Sequence, residues 1–248
     1  MSTVDVKKIR VDRIDSKHAN LAVKRWHYSG KVVSNSQLHF GAFYDGKLHG
    51  VMSFGPSLDK RKIQGLVRDT GWNGFVELNR MAFDDFLPKN SESRCLSVAL
   101  KLIKKYAPQI KWVISFADAT QSGDGGIYRA CGFILTGIKS NKNTVKLPDG
   151  SVIHKMTLES NPTSRRPELG DKTYHEITGG VYDWRKYTEY VGGEVLSGYQ
   201  IRYIYFLDKS KIKNLIVSAL PYSEIDKIGA GMYLGRKVTV SSRHAVMV

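Results

Sequence analysis

The run IYRACGF, Ile127–Phe133, has helical spacing for barely one turn before a glycine stops it. Ile127 to Cys131 form the short helix, Gly132 supplies its cap, and Phe133 opens a strand that runs to Ile138. Just upstream, Lys111–Ala117 (KWVISFA) is short, β-rich and apolar, which predicts a buried strand ending at Asp118. Gly123–Gly126 is the loop between them. Further back, Asn90-Ser91-Glu92-Ser93 marks a helix start, with Leu96, Ala99, Leu100 and Ile103 on one face. Phe75–Phe83 (FVELNRMAF) alternates as a strand, and 56–74 reads as a loop carrying Lys60, Arg61, Lys62 and Arg68. The stretch LHFGAFYDGKLHGVMSFGP predicts a β-hairpin turning at Asp45-Gly46. It contains GxxxxGK, the start of a phosphate loop, but Leu48 stands where Ser or Thr belongs and no helix follows. Ala19–His27 is a helix with Leu21, Val23 and Trp26 on one side, ended by Tyr28-Ser29-Gly30 with the glycine as cap.

Beyond Ile138, Pro148-Asp149-Gly150 turns a second hairpin from Asn143 to Leu158. NPTSRRPELGDK is polar with two prolines and suits a linker. Tyr199–Leu207 (YQIRYIYFL) is strand-like, and Tyr222–Ile228 is helix-like before Gly229 and Gly231. These elements predict an α+β chain: a catalytic domain over 1–160, a linker over 161–175, and a C-terminal extension over 176–248 that packs on the core or contacts DNA.

Lysine and arginine number 38 against 23 aspartates and glutamates, a net charge of +15 over 248 residues. No single tail accounts for this excess, which points to a polyanion and most simply to nucleic acid. Cys95 and Cys131 sit in apolar, helix-like patterns, without CxxC spacing, and read as buried thiols. No apolar leader and no run of eighteen apolar residues is present, so a cytoplasmic, non-membrane protein is expected.

The order helix, hairpin, strand, loop, helix, strand, helix, strand, ending in IYRACGF, resembles the GCN5-related acyltransferases (GNATs). The blocks HYSGK, NSQLHFGAFYDG, FGPSLDKR, GWNGFVELNRMAF, NSESRCLSVAL, KWVISFAD and DGGIYRACGF resemble more closely the Mom family of bacteriophage DNA-modification proteins. They cover most of residues 20–140, and IRYIYFLD and GAGMYLG continue the likeness. The resemblance implies a GNAT-like, mixed and mostly antiparallel sheet flanked by helices. It also implies conversion of adenine in double-stranded phage DNA to its N6-carbamoylmethyl form, an anti-restriction modification made in the cytoplasm of the host bacterium.

That chemistry needs the base flipped out of the stack, at roughly a few kcal/mol. Trp26, Tyr28, Trp72 and Phe83 are the aromatic types available to wall it. The exocyclic amine is a poor nucleophile, so positioning, which supplies about 7–11 kcal/mol in favourable cases, matters as much as a base. His27 is the candidate base by residue type, its plain alternative being a helix-capping histidine. Asp118, at a strand end, is implied in the same site by the family, against the alternative of a helix or loop cap; Tyr128 matches the GNAT tyrosine that protonates a leaving group, against the equal alternative of a core tyrosine on a short helix. His27, Tyr28, Asp118 and Tyr128 are therefore the expected catalytic set. Arg80 should share a side of its strand with Leu78 and Ala82 and needs Glu77, Glu92 or a phosphate as partner. With Ser29, Ser91, Glu92 and Ser93 it makes the expected substrate and donor contacts, although a capping box is the plainer reading of 91–93 at a helix start. Lys24, Arg25, Lys31, Lys60, Arg61 and Lys62 are the expected DNA contacts.

The donor loop departs from the acyltransferase pattern. Pro88–Arg94 has no glycine and carries Glu92, which opposes a pyrophosphate. An activated glycyl donor, glycyl-tRNA above all, is favoured over acetyl-CoA with or without iron, because a carbamoylmethyl group contains the atoms of a glycyl unit. No metal-ligand spacing is visible. Possible partners are thus double-stranded DNA and tRNA. An adenine methyltransferase is set aside because the one Pro-Tyr pair, Pro221-Tyr222, follows Ala219-Leu220 rather than an aspartate. A non-catalytic DNA-binding protein explains the charge and the run Arg202-Tyr203-Ile204-Tyr205 but does not require His27, Asp118 and Tyr128 together.

Overall fold

The computed structural model describes residues 4–121, 123–233 and 236–238. Its elements are β1 (Arg10–Arg13), α1 (Ser16–Trp26), β2 (Leu38–Tyr44), β3 (Lys47–Gly55), α2 (Lys60–Gln64), β4 (Phe75–Phe83), α3 (Ser91–Tyr106), β5 (Trp112–Asp118), α4 (Gly126–Ala130), β6 (Ile134–Lys146) and β7 (Val152–His154). They continue with α5 (Lys155–Glu159), β8 (Arg165–Arg166), β9 (Lys172–Thr173), α6 (Tyr174–Thr178), α7 (Trp184–Tyr190), β10 (Glu194–Phe206), α8 (Ser223–Lys227), β11 (Met232–Tyr233) and β12 (Arg236–Lys237).

The chain divides into two compact units, and they interleave along the sequence. The first holds Met1–Ala117, Asp124–Gly137 and Ile201–Lys227; the second holds Asp118–Gly123, Ile138–Gln200 and Ile228–Val248. In the first unit the strands run β1-β2-β3-β4-β5-β10-β6, the last two contributing only their segments 201–206 and 134–137. Strands β1 to β4 pair antiparallel and β4 with β5 parallel, so the sheet is mixed and mostly antiparallel. Helix α1 packs on β2, β3 and β4; α3 packs on β1, β3 and α4. The run 201–206 lies inside the sheet, between β5 and β6, which explains why Ile201, Tyr203, Ile204 and Phe206 are all buried.

One irregularity places the site. The β3–β4 register runs Val51 opposite Ala82 and Ser53 opposite Arg80, then Phe54 opposite Leu78 and Gly55 opposite Glu77. Asn79 is the extra residue of a β-bulge. Cross-strand partners share a face, so the bulge reverses the parity on one side of it. Arg80 keeps company with Ala82 as expected, but not with Leu78. Glu77 moves to the Arg80 face, where Val51 and Ala82 pack against Ala22 and Val23 of α1. Asn79 is held in the bulge by accepting from Ser36 Oγ at 3.1 Å and donating to the Pro56 carbonyl at 3.5 Å.

Other expectations need local correction. The 56–74 stretch contains helix α2, whose first turn is capped by Asp59. Helix α1 ends at Trp26 with extended His27 as its C-cap; Gly30, at φ 59°, closes the following turn by donating to the His27 carbonyl. The second hairpin is present as β6–β7, but Leu158 belongs to α5 rather than to the returning strand. Segment 161–175 is no bare linker: it holds the antiparallel pair β8–β9, within the second unit. That unit has its own core of Val145, Leu158, Leu169, Tyr174, Ile177 and Tyr187. Cys95 is buried, whereas Cys131 is half-exposed and donates to the Ser93 carbonyl.

Helix α4 is set by Gly125, at φ 85°. A Cβ there would lie 2.4 Å from the Tyr203 ring, which is fully buried and tied by its hydroxyl to the Asp124 carbonyl. The ring has nowhere to go. Gly125→Ala is therefore expected to cost about 3 kcal/mol or more from strain plus overpacking. Gly46→Ala, at φ 75° with nothing within 4 Å of the added carbon, should cost only about 1–2 kcal/mol. Urea unfolding of both variants checks the difference; equal losses would mean that Tyr203 yields.

Candidate active site

The turn after α1 orients a histidine. His27 donates its backbone N–H to Val23, and its carbonyl accepts from Gly30 at 2.8 Å. Its Nδ1 lies 2.8 Å from Ser29 Oγ and 3.2 Å from the Ser29 backbone nitrogen. A backbone N–H can only donate, so Nδ1 carries the lone pair and the neutral ring bears its proton on Nε2. Ser29 Oγ in turn accepts from the Lys31 N–H at 3.3 Å. Burial, with help from the Arg80 charge, lowers the His27 pKa to about 4. The ring is therefore an uncharged N–H donor throughout the neutral range.

Beside it, the Tyr28 ring is 57% exposed, its centroid 4.3 Å from that of His27 and tilted by 31°. A ring this exposed presents surface on which a flat apolar partner can stack. Arg80 is electrostatically coupled to both. Its Nε donates to the Lys31 carbonyl and its Nη1 to the Asn79 carbonyl, both at 2.8 Å. These bonds use two of the five guanidinium donors. The partners are carbonyls rather than the carboxylate or phosphate expected; burial lowers the Arg80 pKa, and Tyr28 and Glu77 oppose that by favouring its charge. Burial pushes the Glu77 carboxyl up, against the influence of Ser57, Arg80 and Asn79.

Glu77 links this corner to Tyr128. Burial raises the Tyr128 phenol first; Ser115 opposes the rise, and Glu77 and Cys131 add to it. Its ring packs against Phe133 and Tyr203, each 5.4 Å away. A raised phenol stays protonated at neutral pH, the state a proton donor needs.

The first unit thus brings together His27, Tyr28, Ser29 and Arg80, with Glu77 bridging electrostatically to Tyr128. Asp118 lies in the second unit, where Oδ1 accepts the Thr120 N–H at 2.9 Å, the geometry of a loop cap. At the start of α3 there is no capping box: Asn90 is left-handed and makes no side-chain cap bond. Ser91 and Ser93 donate their hydroxyls to the Pro88 and Asn90 carbonyls at 2.6 and 3.1 Å, leaving Glu92 as the acidic residue of the first turn. This set is a poor match for a pyrophosphate. Among the described residues no three His, Cys, Asp or Glu side chains group as metal ligands.

Of the expected DNA contacts, Lys24, Arg25, Lys31, Arg61 and Lys62 are exposed. Lys60 is half-buried, its Nζ 4.5 Å from the centroid of the exposed Trp72 ring and 3.4 Å from Asn73 Oδ1. Phe83 is not free to wall a base, because it lies across Gly50 on the neighbouring strand. Glu77 and Asn79 were missed as site residues. The signal was an asparagine interrupting an alternating strand, where it has poor β-propensity.

The Mom protein family model matches residues 8–224. This chain belongs to the Mom protein family. A curated relative, "Methylcarbamoylase mom" of Escherichia phage Mu, is 38% identical to this Mom family member over 154 residues. The match spans 62% of this chain and 63% of that relative's length. Solved structures similar to it include a Bacillus subtilis acetyltransferase in complex with CoA (11% identity, 80% of this chain and 99% of that one, TM-score 0.42). A Staphylococcus aureus Mu50 N-acetyltransferase is similar at 10% identity, over 80% and 98% of the two chains, with a TM-score of 0.43. The fold of this Mom family member rests on its own strand order and bulge, not on those overlaps. Among its described residues no helix is long and apolar enough to cross a membrane.

Proposed function

We propose that this Mom family member transfers a glycyl unit to the exocyclic amine of an adenine flipped out of double-stranded DNA, and that the product rearranges to the N6-carbamoylmethyl form. The observation that carries this reading is the corner where a neutral His27, an exposed Tyr28 ring and the Arg80 guanidinium converge. That corner follows the exposed Lys24 and Arg25 in a unit with 26 lysines and arginines against 14 acids, net +12, while the other unit has net +3. The name of the Mu relative supports the chemistry.

In this reading the Tyr28 ring stacks on the flipped base and the cations of 24–31 hold its flanking phosphates. His27 acts as a donor rather than as the base its residue type suggests: its Nε2–H meets the glycyl carbonyl oxygen as negative charge develops there. The adenine nitrogen bonds to the carbonyl carbon, the ester C–O bond breaks, and the leaving 3′ oxygen takes a proton from Tyr128. The proton shed by the amine restores that phenol, so no net proton is consumed. The new free amine then attacks the ring carbon through a five-membered spiro intermediate. Cleavage of the original carbon–nitrogen bond gives the carbamoylmethyl isomer.

This fixes the nitrogen fate. With 15N-glycine supplied as the activated RNA ester, mass spectrometry of the nucleoside should find the label bonded to the purine ring and adenine's own nitrogen in the terminal amide. The reverse arrangement would sink glycyl transfer. An unmodified digest from active-site-intact protein, with donor and DNA both present, would leave a DNA-binding role only.

A further inference from the structure

Arg68 belongs to a basic surface assembled from two distant stretches of the first unit. The stretch 66–69 is zipped to 214–216: Arg68 N–H donates to the Asn214 carbonyl at 2.9 Å, Ile216 N–H to that of Leu66 at 3.0 Å, and Val67 bridges Leu215. This sets Arg68 beside the 3-10 turn Lys209–Asn214, which carries Lys211 and Lys213, while Arg61 shares a lining with Arg68 and is followed by the exposed Lys62. Among the described residues none of these five cations is in an ion pair. Lys211 acts at longer range on Asp208, and the positive charge left on this surface is suited to a polyanion.

A shallow, open depression of about 440 Å³ lies beside Arg68, lined by Arg61, Gln64, Arg68, Asp69 and Thr70 among others. Its wall is stiff. Gln64 donates to the Thr70 carbonyl at 2.6 Å, and the Thr70 hydroxyl donates to Val67 and accepts from the Trp112 indole at 3.0 Å. The Asp69 carboxylate, held by Asn214 at 3.2 Å, is the informative member. It would repel a bare phosphate, but it pairs well with a hydroxyl donor, as acidic residues do with ribose. The same loop carries Trp72, 53% exposed; Lys60 lies over one face of its ring, and the exposed remainder suits stacking by an unpaired base.

We infer that this surface binds single-stranded RNA, with Arg61, Arg68, Lys211 and Lys213 on phosphates and Asp69 on a ribose 2′-hydroxyl. The inference deepens the proposed function, since it gives an RNA-borne donor a seat apart from the 24–31 cations. It is tested by binding alone, so its failure is distinct from failure of the chemistry.

The probes are a short single-stranded RNA, the DNA of the same sequence, and a DNA duplex, each titrated at several salt concentrations. Replacing Arg68, Lys211 and Lys213 together by alanine should weaken RNA binding at least tenfold. It should flatten the log–log salt slope by about 2, at about 0.7 per phosphate, and leave duplex affinity within twofold. The Lys211→Arg/Lys213→Arg variant should bind as wild type. Asp69→Asn should narrow the preference for RNA over the same-sequence DNA. Equal loss of RNA and duplex, no loss of either, or an unchanged RNA preference in D69N would overturn the assignment.

Discussion

His27→Ala is expected to lower carbamoylmethyladenine in DNA from expressing cells by about 10²–10³-fold, the usual effect of removing one preorganised donor. Duplex affinity should change less than twofold, because His27 carries no charge to lose. Nucleoside digestion reads the first and fluorescence anisotropy the second. His27→Gln, which can return an N–H to the Nε2 position, should recover more activity than alanine does. The pH profile of the purified protein should show no limb near 6.5, since His27 is lowered to about 4. A rising limb centred near 6.5 and lost in the glutamine variant would make His27 a base and sink the donor role.

The same residue predicts a stability slope. Its folded pKa lies below the unfolded value of about 6.5, so the unfolded chain binds more protons between those two values. The stabilisation is full above about 6.5, is lost as pH falls toward about 4, and changes little below that. After allowance for partial exposure it amounts to about 2–3 kcal/mol. Melting temperatures of wild type and His27→Gln from pH 4 to 8 check it: the wild type alone should carry this share of the acid loss.

Arg80→Ala is expected to be the most disruptive change at the site. It removes charge-assisted hydrogen bonds to the Lys31 and Asn79 carbonyls, at about 1.5–3 kcal/mol each before relaxation and water repair part of the loss. A net destabilisation of about 2–4 kcal/mol in urea follows. Arg80→Lys should not rescue it, because one ammonium on a flexible stem cannot match the planar fork that spans both carbonyls. His27 gives an independent readout. With the Arg80 charge gone its pKa should rise in NMR titration of a variant that still folds, such as Arg80→Met, while burial keeps it below 6.5. An unmoved titration would mean the two side chains are uncoupled.

Much of this was legible in order along the chain. The hairpin at Asp45-Gly46, strands β4 and β5, helix α3 and the helix–glycine–strand run at Ile127–Phe133 all follow from patterns read over a few neighbouring residues. The family blocks place His27, Tyr28 and Tyr128, and the structure gives each a setting. Arg80 was legible as a charge needing a partner, but not which partner. Leu158 read as strand because an alternating pattern and a short helix look alike over five residues.

By itself, then, the sequence determined the element types, the family, the net positive charge and the residue types at the candidate site. These depend on local periodicity, turn chemistry and composition. Only the tertiary structure decided which face Glu77 and Arg80 occupy, because one extra residue at Asn79 reverses parity, and a bulge is defined by the partner strand. It alone set the proton of His27 on Nε2, through a turn that aims the Ser29 N–H at Nδ1. It also joined Arg68 to Lys211 and Lys213 across more than a hundred residues, because backbone hydrogen bonds between 66–68 and 214–216 close a loop that local patterns do not register.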